Sequence, residues 1–91
     1  MPINYQNGIL NEHLQVRESA GLFDVSHMGQ ILIPADEKNI ISLSKFIPLD
    51  FDKINFNRCY YSFLLNNDGG IIDDLIISKI KYQQKDFFYI V

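Results

Sequence analysis

Two adjacent carboxylates, Asp73 and Asp74, stand inside an otherwise apolar run, Ile71-Ile72-Asp73-Asp74-Leu75-Ile76-Ile77. Neighbouring side chains on a strand point to opposite faces. Asp74 then shares a face with Ile72, Ile76 and Ile80, and Asp73 with Ile71, Leu75 and Ile77. Apolar residues on both sides predict a strand covered on both faces. A carboxylate in such a place is costly unless it is paired, protonated or opens into a polar site. At least one of the two therefore needs a partner, and a ligand is one candidate. A shared metal ion is a poor one, because the two side chains diverge.

Four other residues invite the same question. Met28 is an apolar, adaptable side chain among the polar neighbours Asp24, Ser26 and Gln30. Two readings of it stand equally: an isolated exposed apolar residue, or the soft wall of a ligand cavity. Tyr61 is expected to be an interior aromatic whose hydroxyl has found a partner. His13 is expected at the edge of a helix's core face. His27 reads as a satisfied core histidine, since nothing supplies a second ligand at a recognisable spacing.

The elements that must position these residues follow from periodicity and turn signals. Residues 1–8 are polar and extended, with Pro2, Asn4, Asn7 and Gly8 as breakers. Ile9, His13, Val16 and Ala20 recur at helical spacing, with Gly21 as a C-terminal cap. Leu22 to Ile33 alternates as a strand, with Phe23, Val25, His27, Ile31 and Ile33 on its buried face. Asp36 caps a short helix bearing Ile40, Leu43 and Ile47, and Pro48 closes it. Residues 49–57 read as a loop. A second strand, Arg58 to Leu65, is joined by the Asn66–Gly70 turn to the strand carrying the aspartates, which makes an antiparallel hairpin. That third strand runs to about Tyr82, Gln83 to Asp86 turns, and Phe87 to Val91 begins a further strand. The fold class is α+β, an antiparallel sheet with flanking helices.

Composition bounds the function. Ninety-one residues make at most one small domain, with 47% hydrophobic and 21% charged residues. The net charge of −3 and the scattered basic residues argue against nucleic acid as a partner. The single cysteine, Cys59, excludes an intramolecular disulfide and a cysteine-cluster metal site. No apolar run approaches the roughly 20 residues of a membrane span, and no signal peptide is visible. No metal and no membrane are therefore expected.

Three segments together resemble the aminomethyltransferase of the glycine cleavage system, the T-protein family. They are Glu12-His13-Leu14-Gln15-Val16-Arg17 leading into Gly21-Leu22-Phe23-Asp24-Val25-Ser26-His27-Met28-Gly29, then Tyr61-Ser62, then Gly69-Gly70-Ile71-Ile72-Asp73-Asp74-Leu75-Ile76. The resemblance implies that residues 1–91 are a partial N-terminal folate-binding domain, an incomplete first domain of the aminomethyltransferase fold, with further chain on both sides. It implies a tetrahydrofolate-dependent transferase. Such an enzyme takes an aminomethyl group from the lipoyl arm of H-protein and passes the carbon to tetrahydrofolate, releasing ammonia and forming 5,10-methylenetetrahydrofolate. The family's key aspartate falls on Asp74, beside the folate nitrogens. Its folate-packing residues fall on Met28 and Tyr61, and Asp73 becomes a structural neighbour. Asn57 stands where the family often carries glycine, and it tolerates the same left-handed backbone. A bacterial cytoplasm is the expected compartment, or a mitochondrial matrix if the chain is eukaryotic.

The resemblance leaves competitors within the same architecture. Folate-dependent demethylases of sarcosine, dimethylglycine or dimethylsulfoniopropionate share it, as does a non-enzymatic folate binder of iron–sulfur assembly. The Asp-Val-Ser-His-Met and Asp-Asp-Leu motifs favour the glycine cleavage branch. A folate pocket needs walls on several sides, so the 91 residues alone are expected to be inactive.

Overall fold

The computed structural model describes residues 4–91; Met1 to Ile3, including the expected breaker Pro2, lie outside the described residues. In chain order the elements are helix α1 (Ile9–Glu18), strand β1 (Ile31–Pro34), helix α2 (Glu37–Leu43), a 3-10 turn at Phe51–Lys53, and strands β2 (Cys59–Leu65), β3 (Ile71–Tyr82) and β4 (Lys85–Ile90). The strands form one sheet in the order β1-β4-β3-β2, and every pair is antiparallel. The α+β class with an antiparallel sheet is as the sequence predicts.

Two tight turns set the sheet's register. After β2, the Asn66 side-chain oxygen accepts the backbone N–H of Asp68 at 3.0 Å and of Gly70 at 2.7 Å. Gly69 takes φ 78°, a conformation that favours glycine. This loop aligns Tyr61 with Ile76 and Phe63 with Asp74. The register shifts near the loop, where Leu64 pairs with Asp73 and Leu65 with Ile71, leaving Ile72 as the extra residue of a bulge. The second turn is shorter than predicted. Only Gln83 and Gln84 turn, both at positive φ (47° and 65°), and β4 starts at Lys85.

One face of the sheet carries the core. Ile77 and Phe88 are fully buried, with Leu75 and Ile90 beside them. Ile47, Phe51 and Ile54 close over them from the α2 side, and the Phe51 and Phe88 rings meet edge-on at 5.2 Å. The segment read as a plain loop thus supplies two of the buried residues. Asp36 caps α2 as expected, its carboxylate accepting the Asn39 N–H at 2.8 Å. Asn57 takes φ 58°, the left-handed backbone expected of it, and its N–H bonds the Lys79 carbonyl at 2.9 Å.

Several expectations are corrected. The strand predicted over 22–33 is confined to Ile31–Pro34. Upstream, the Asp24 carboxylate accepts the Ser26 N–H at 2.9 Å, and the Met28 N–H bonds the Val25 carbonyl at 3.0 Å. This local turn takes the backbone groups that a strand would have offered to a neighbour. Phe23, Val25 and His27 are exposed, not buried. Helix α1 lies where its periodicity predicts, yet none of its residues is buried and His13 is exposed. Its C-cap is Ser19, not Gly21. Gly21 serves close approach instead, since a Cβ there would stand 2.6 Å from Val16 Cγ2. Around the aspartates strand β3 is not covered on both faces: Leu75 and Ile77 are buried, whereas Ile72, Asp73, Asp74 and Ile76 are exposed, and the second face is covered only further along, at Ser78.

Candidate functional site

The open face of the sheet is where the candidate residues meet. Alternation along β2 turns Tyr60, Ser62 and Leu64 toward the core and leaves Cys59, Tyr61 and Phe63 on the other side. On β3, Asp74, Ile76 and Ser78 share that second side. Tyr61 and Asp74 are therefore diagonal neighbours across two strands, a spacing that long side chains span. The Tyr61 hydroxyl donates to Asp74 Oδ2 at 2.9 Å. That bond to a carboxylate holds the Tyr61 phenol above its usual pKa.

A cavity of about 300 Å³ opens beside this pair. Its walls are His27, Met28 and Gly29 from the turn before β1, Tyr61 from β2, Asp73 to Ile76 from β3, and Val91 after β4. Val91 is pinned there by two backbone bonds to Ile76, at 2.9 and 3.0 Å. The volume is at the low end of small-molecule sites, about 300–1,000 Å³, which suits one ring system and not an extended ligand. Its lining combines apolar side chains with two carboxylates, an imidazole and one hydroxyl, the mixture of apolar wall and few polar groups usual in a binding site. A larger hollow of about 400 Å³ lies at the start of α1, between Gln6, Asn7, Asn11, Glu12 and Gln15. It has neither apolar walls nor converging charge, so the smaller cavity is the better candidate site.

The structure thus brings Met28, Tyr61 and Asp74 together, three residues far apart in the sequence. It also corrects their surroundings. Tyr61 is 62% exposed and is not an interior aromatic. Asp74 is exposed as well, and its partner is the Tyr61 hydroxyl. Met28 is exposed and also lines the cavity, a placement compatible with both of its readings. Asp73 Oδ1 accepts the backbone N–H of Asp74 at 2.9 Å, a structural role for the first aspartate.

Sequence reasoning missed His27, which lines the cavity instead of the core, and Ile76 and Val91, whose places depend on strand pairing. The adjacency of His27 to Met28 was the only available signal. Although His27, Asp73 and Asp74 line one cavity, no group of three or more His, Cys, Asp or Glu among the described residues is placed to hold a metal ion. No helix among them is long and apolar enough to cross a membrane.

Comparison with known proteins identifies the family and the fold. Residues 1–91 match the family model described as the GCVT N-terminal domain. The chain is 42% identical over 79 residues to an aminomethyltransferase of Caldanaerobacter subterraneus subsp. tengcongensis, covering 87% of this chain and 21% of that protein. It is 46% identical over 77 residues to an aminomethyltransferase of Prochlorococcus marinus, covering 85% of this chain and 20% of the relative. The crystal structure of the glycine cleavage system aminomethyltransferase T from Bartonella henselae superposes with a TM-score of 0.81 at 39% identity, over 99% of this chain and 24% of that one. The chain therefore spans about a quarter or less of the length of the relatives it matches. A family match along the whole chain, together with a shared fold at this identity, means that the chain belongs to the GCVT N-terminal domain family.

Proposed function

We propose that residues 1–91 are part of the folate-binding domain of a glycine cleavage aminomethyltransferase. The observation that carries this reading is the single cavity shared by Met28, Tyr61 and Asp74. Its acceptor substrate is tetrahydrofolate, and its donor is the aminomethyl group on the lipoyl arm of H-protein. Met28 and Tyr61 offer apolar surface to the pterin ring, and Asp74 faces the ring-side nitrogens.

The chemistry asks for one fixed negative charge. Folate nitrogens are weak bases, and attack on an iminium-like carbon places positive charge on nitrogen as the bond forms. A carboxylate already in position stabilises that charge and accepts or relays the proton. Exposed on one side within these residues, Asp74 needs further walls to exclude water, which strengthens its electrostatic effect. Those walls and the H-protein surface are assigned to the rest of the enzyme. The bacterial sources of the relatives favour the cytoplasm over a mitochondrial matrix.

Reconstitution tests the reading. Full-length enzyme, supplied with aminomethyl-loaded H-protein and tetrahydrofolate, is expected to release ammonia and form 5,10-methylenetetrahydrofolate in equal amounts. Methyl transfer from sarcosine, dimethylglycine or dimethylsulfoniopropionate without ammonia would assign the chain to the demethylases. Folate binding with neither reaction would assign it to the non-enzymatic relatives.

A further inference from the structure

We infer that Tyr61 is a positioning residue, whose hydroxyl ties one oxygen of Asp74 and leaves the other to face the acceptor nitrogen. The inference rests on the aminomethyltransferase reading above and adds a division of labour within the cavity. Three contacts and one unfilled oxygen support it. The Tyr61 hydroxyl donates to Asp74 Oδ2 at 2.9 Å. Among the described residues, no donor bonds Oδ1 of the same carboxylate. The Tyr61 ring is steadied by the Phe63 ring, edge-on at 5.5 Å and 77°. Asp73 Oδ1 fixes the Asp74 backbone N–H at 2.9 Å.

These contacts answer a problem that exposure creates. An aspartate on an open sheet face would otherwise sample several side-chain rotamers, and a misplaced catalytic group loses rate steeply. A misplacement of about 1 Å can cost on the order of 100-fold. Diagonal pairing across β2 and β3 converts strand register into carboxylate orientation: Phe63 is opposite Asp74, and Tyr61 is opposite Ile76. The other titratable groups lining the cavity, His27 and Asp73, are not bonded to the Asp74 carboxylate.

The test uses the full-length enzyme and two independent readouts. Tyr61→Phe keeps the ring and removes the hydroxyl. It is expected to lower kcat about tenfold while the KM for tetrahydrofolate stays within about twofold. An unchanged kcat, or a loss confined to KM, would overturn the inference. The second readout needs no turnover. With ¹³Cζ-labelled tyrosine, the resonance lost in Tyr61→Phe is expected to titrate above free tyrosine in the wild type and at lower pH in Asp74→Asn. A Tyr61 titration indifferent to Asp74→Asn would overturn the pairing whatever the activity. If the titration couples as expected but the wild type releases no ammonia, the functional reading fails and the Tyr61–Asp74 pairing stands.

Discussion

Asp74 owes its place in this account to its partner and its cavity, not to burial. A carboxylate inside an apolar run was expected to be a covered charge needing relief, and it is instead an exposed one held by a phenol. The need for a partner was therefore legible in the sequence, but for the wrong reason. Open sheet faces and covered ones share the same alternation, so apolar neighbours alone could not say which face the core takes. The two aspartates also divide cleanly. Asp73 bonds a backbone amide, a role that an asparagine oxygen could fill, so Asp73→Asn is expected to keep stability within about 0.5 kcal/mol and Asp73→Ala to cost about 1 kcal/mol. Denaturant unfolding of the full-length variants measures both. Met28→Ala, which strips the soft wall from the cavity, should weaken tetrahydrofolate binding about tenfold, ~1.4 kcal/mol, as read by calorimetric titration.

The turn before β1 gives the element scale its clearest lesson. Alternation over 22–33 satisfied the pattern for a strand, but Asp24-Val25-Ser26 also satisfies a side-chain-capped turn, and the turn prevailed. Asp24 has a lowered pKa, first through its hydrogen bond with Ser26. Its contribution is thus fully present above the ordinary carboxylate pKa and is lost as pH falls through the lowered folded value, leaving the turn intact at neutral pH. Asp24→Ala should loosen the Met28 wall and raise the KM for tetrahydrofolate a few-fold with kcat preserved, a split that steady-state kinetics resolves. The Asn66–Gly70 hairpin was legible because glycine and asparagine announce it. The Gln83–Gln84 turn was misjudged because neither residue favours positive φ. Replacing the pair with Asn-Gly should stabilise the full-length enzyme by about 1 kcal/mol, visible as a higher denaturation midpoint.

At the scale of the whole molecule, seven buried hydrophobic residues among those described make the core on one side of the sheet. Leu22, Phe23, Ile9 and Leu10 remain 67–101% exposed, and the radius of gyration is 17.3 Å. A compact chain of this length would have a radius of about 12 Å. The α+β class and the hairpin were readable from periodicity, whereas the loose attachment of α1 was not, because amphipathic spacing reports a face and not what covers it. Residues 1–91 treated as part of a larger folate-binding domain explain that uncovered surface. Expressed alone, they are expected to show no measurable aminomethyl transfer.

The central claim is that Asp74 acts in the chemical step beside a folate held by its neighbours. Asp74→Asn in the full-length enzyme, assayed for both tetrahydrofolate binding and ammonia release, tests it most directly. The account predicts that affinity stays within about tenfold, roughly 1.4 kcal/mol, while turnover falls by about 100-fold or more. Turnover close to wild type in that variant would contradict it.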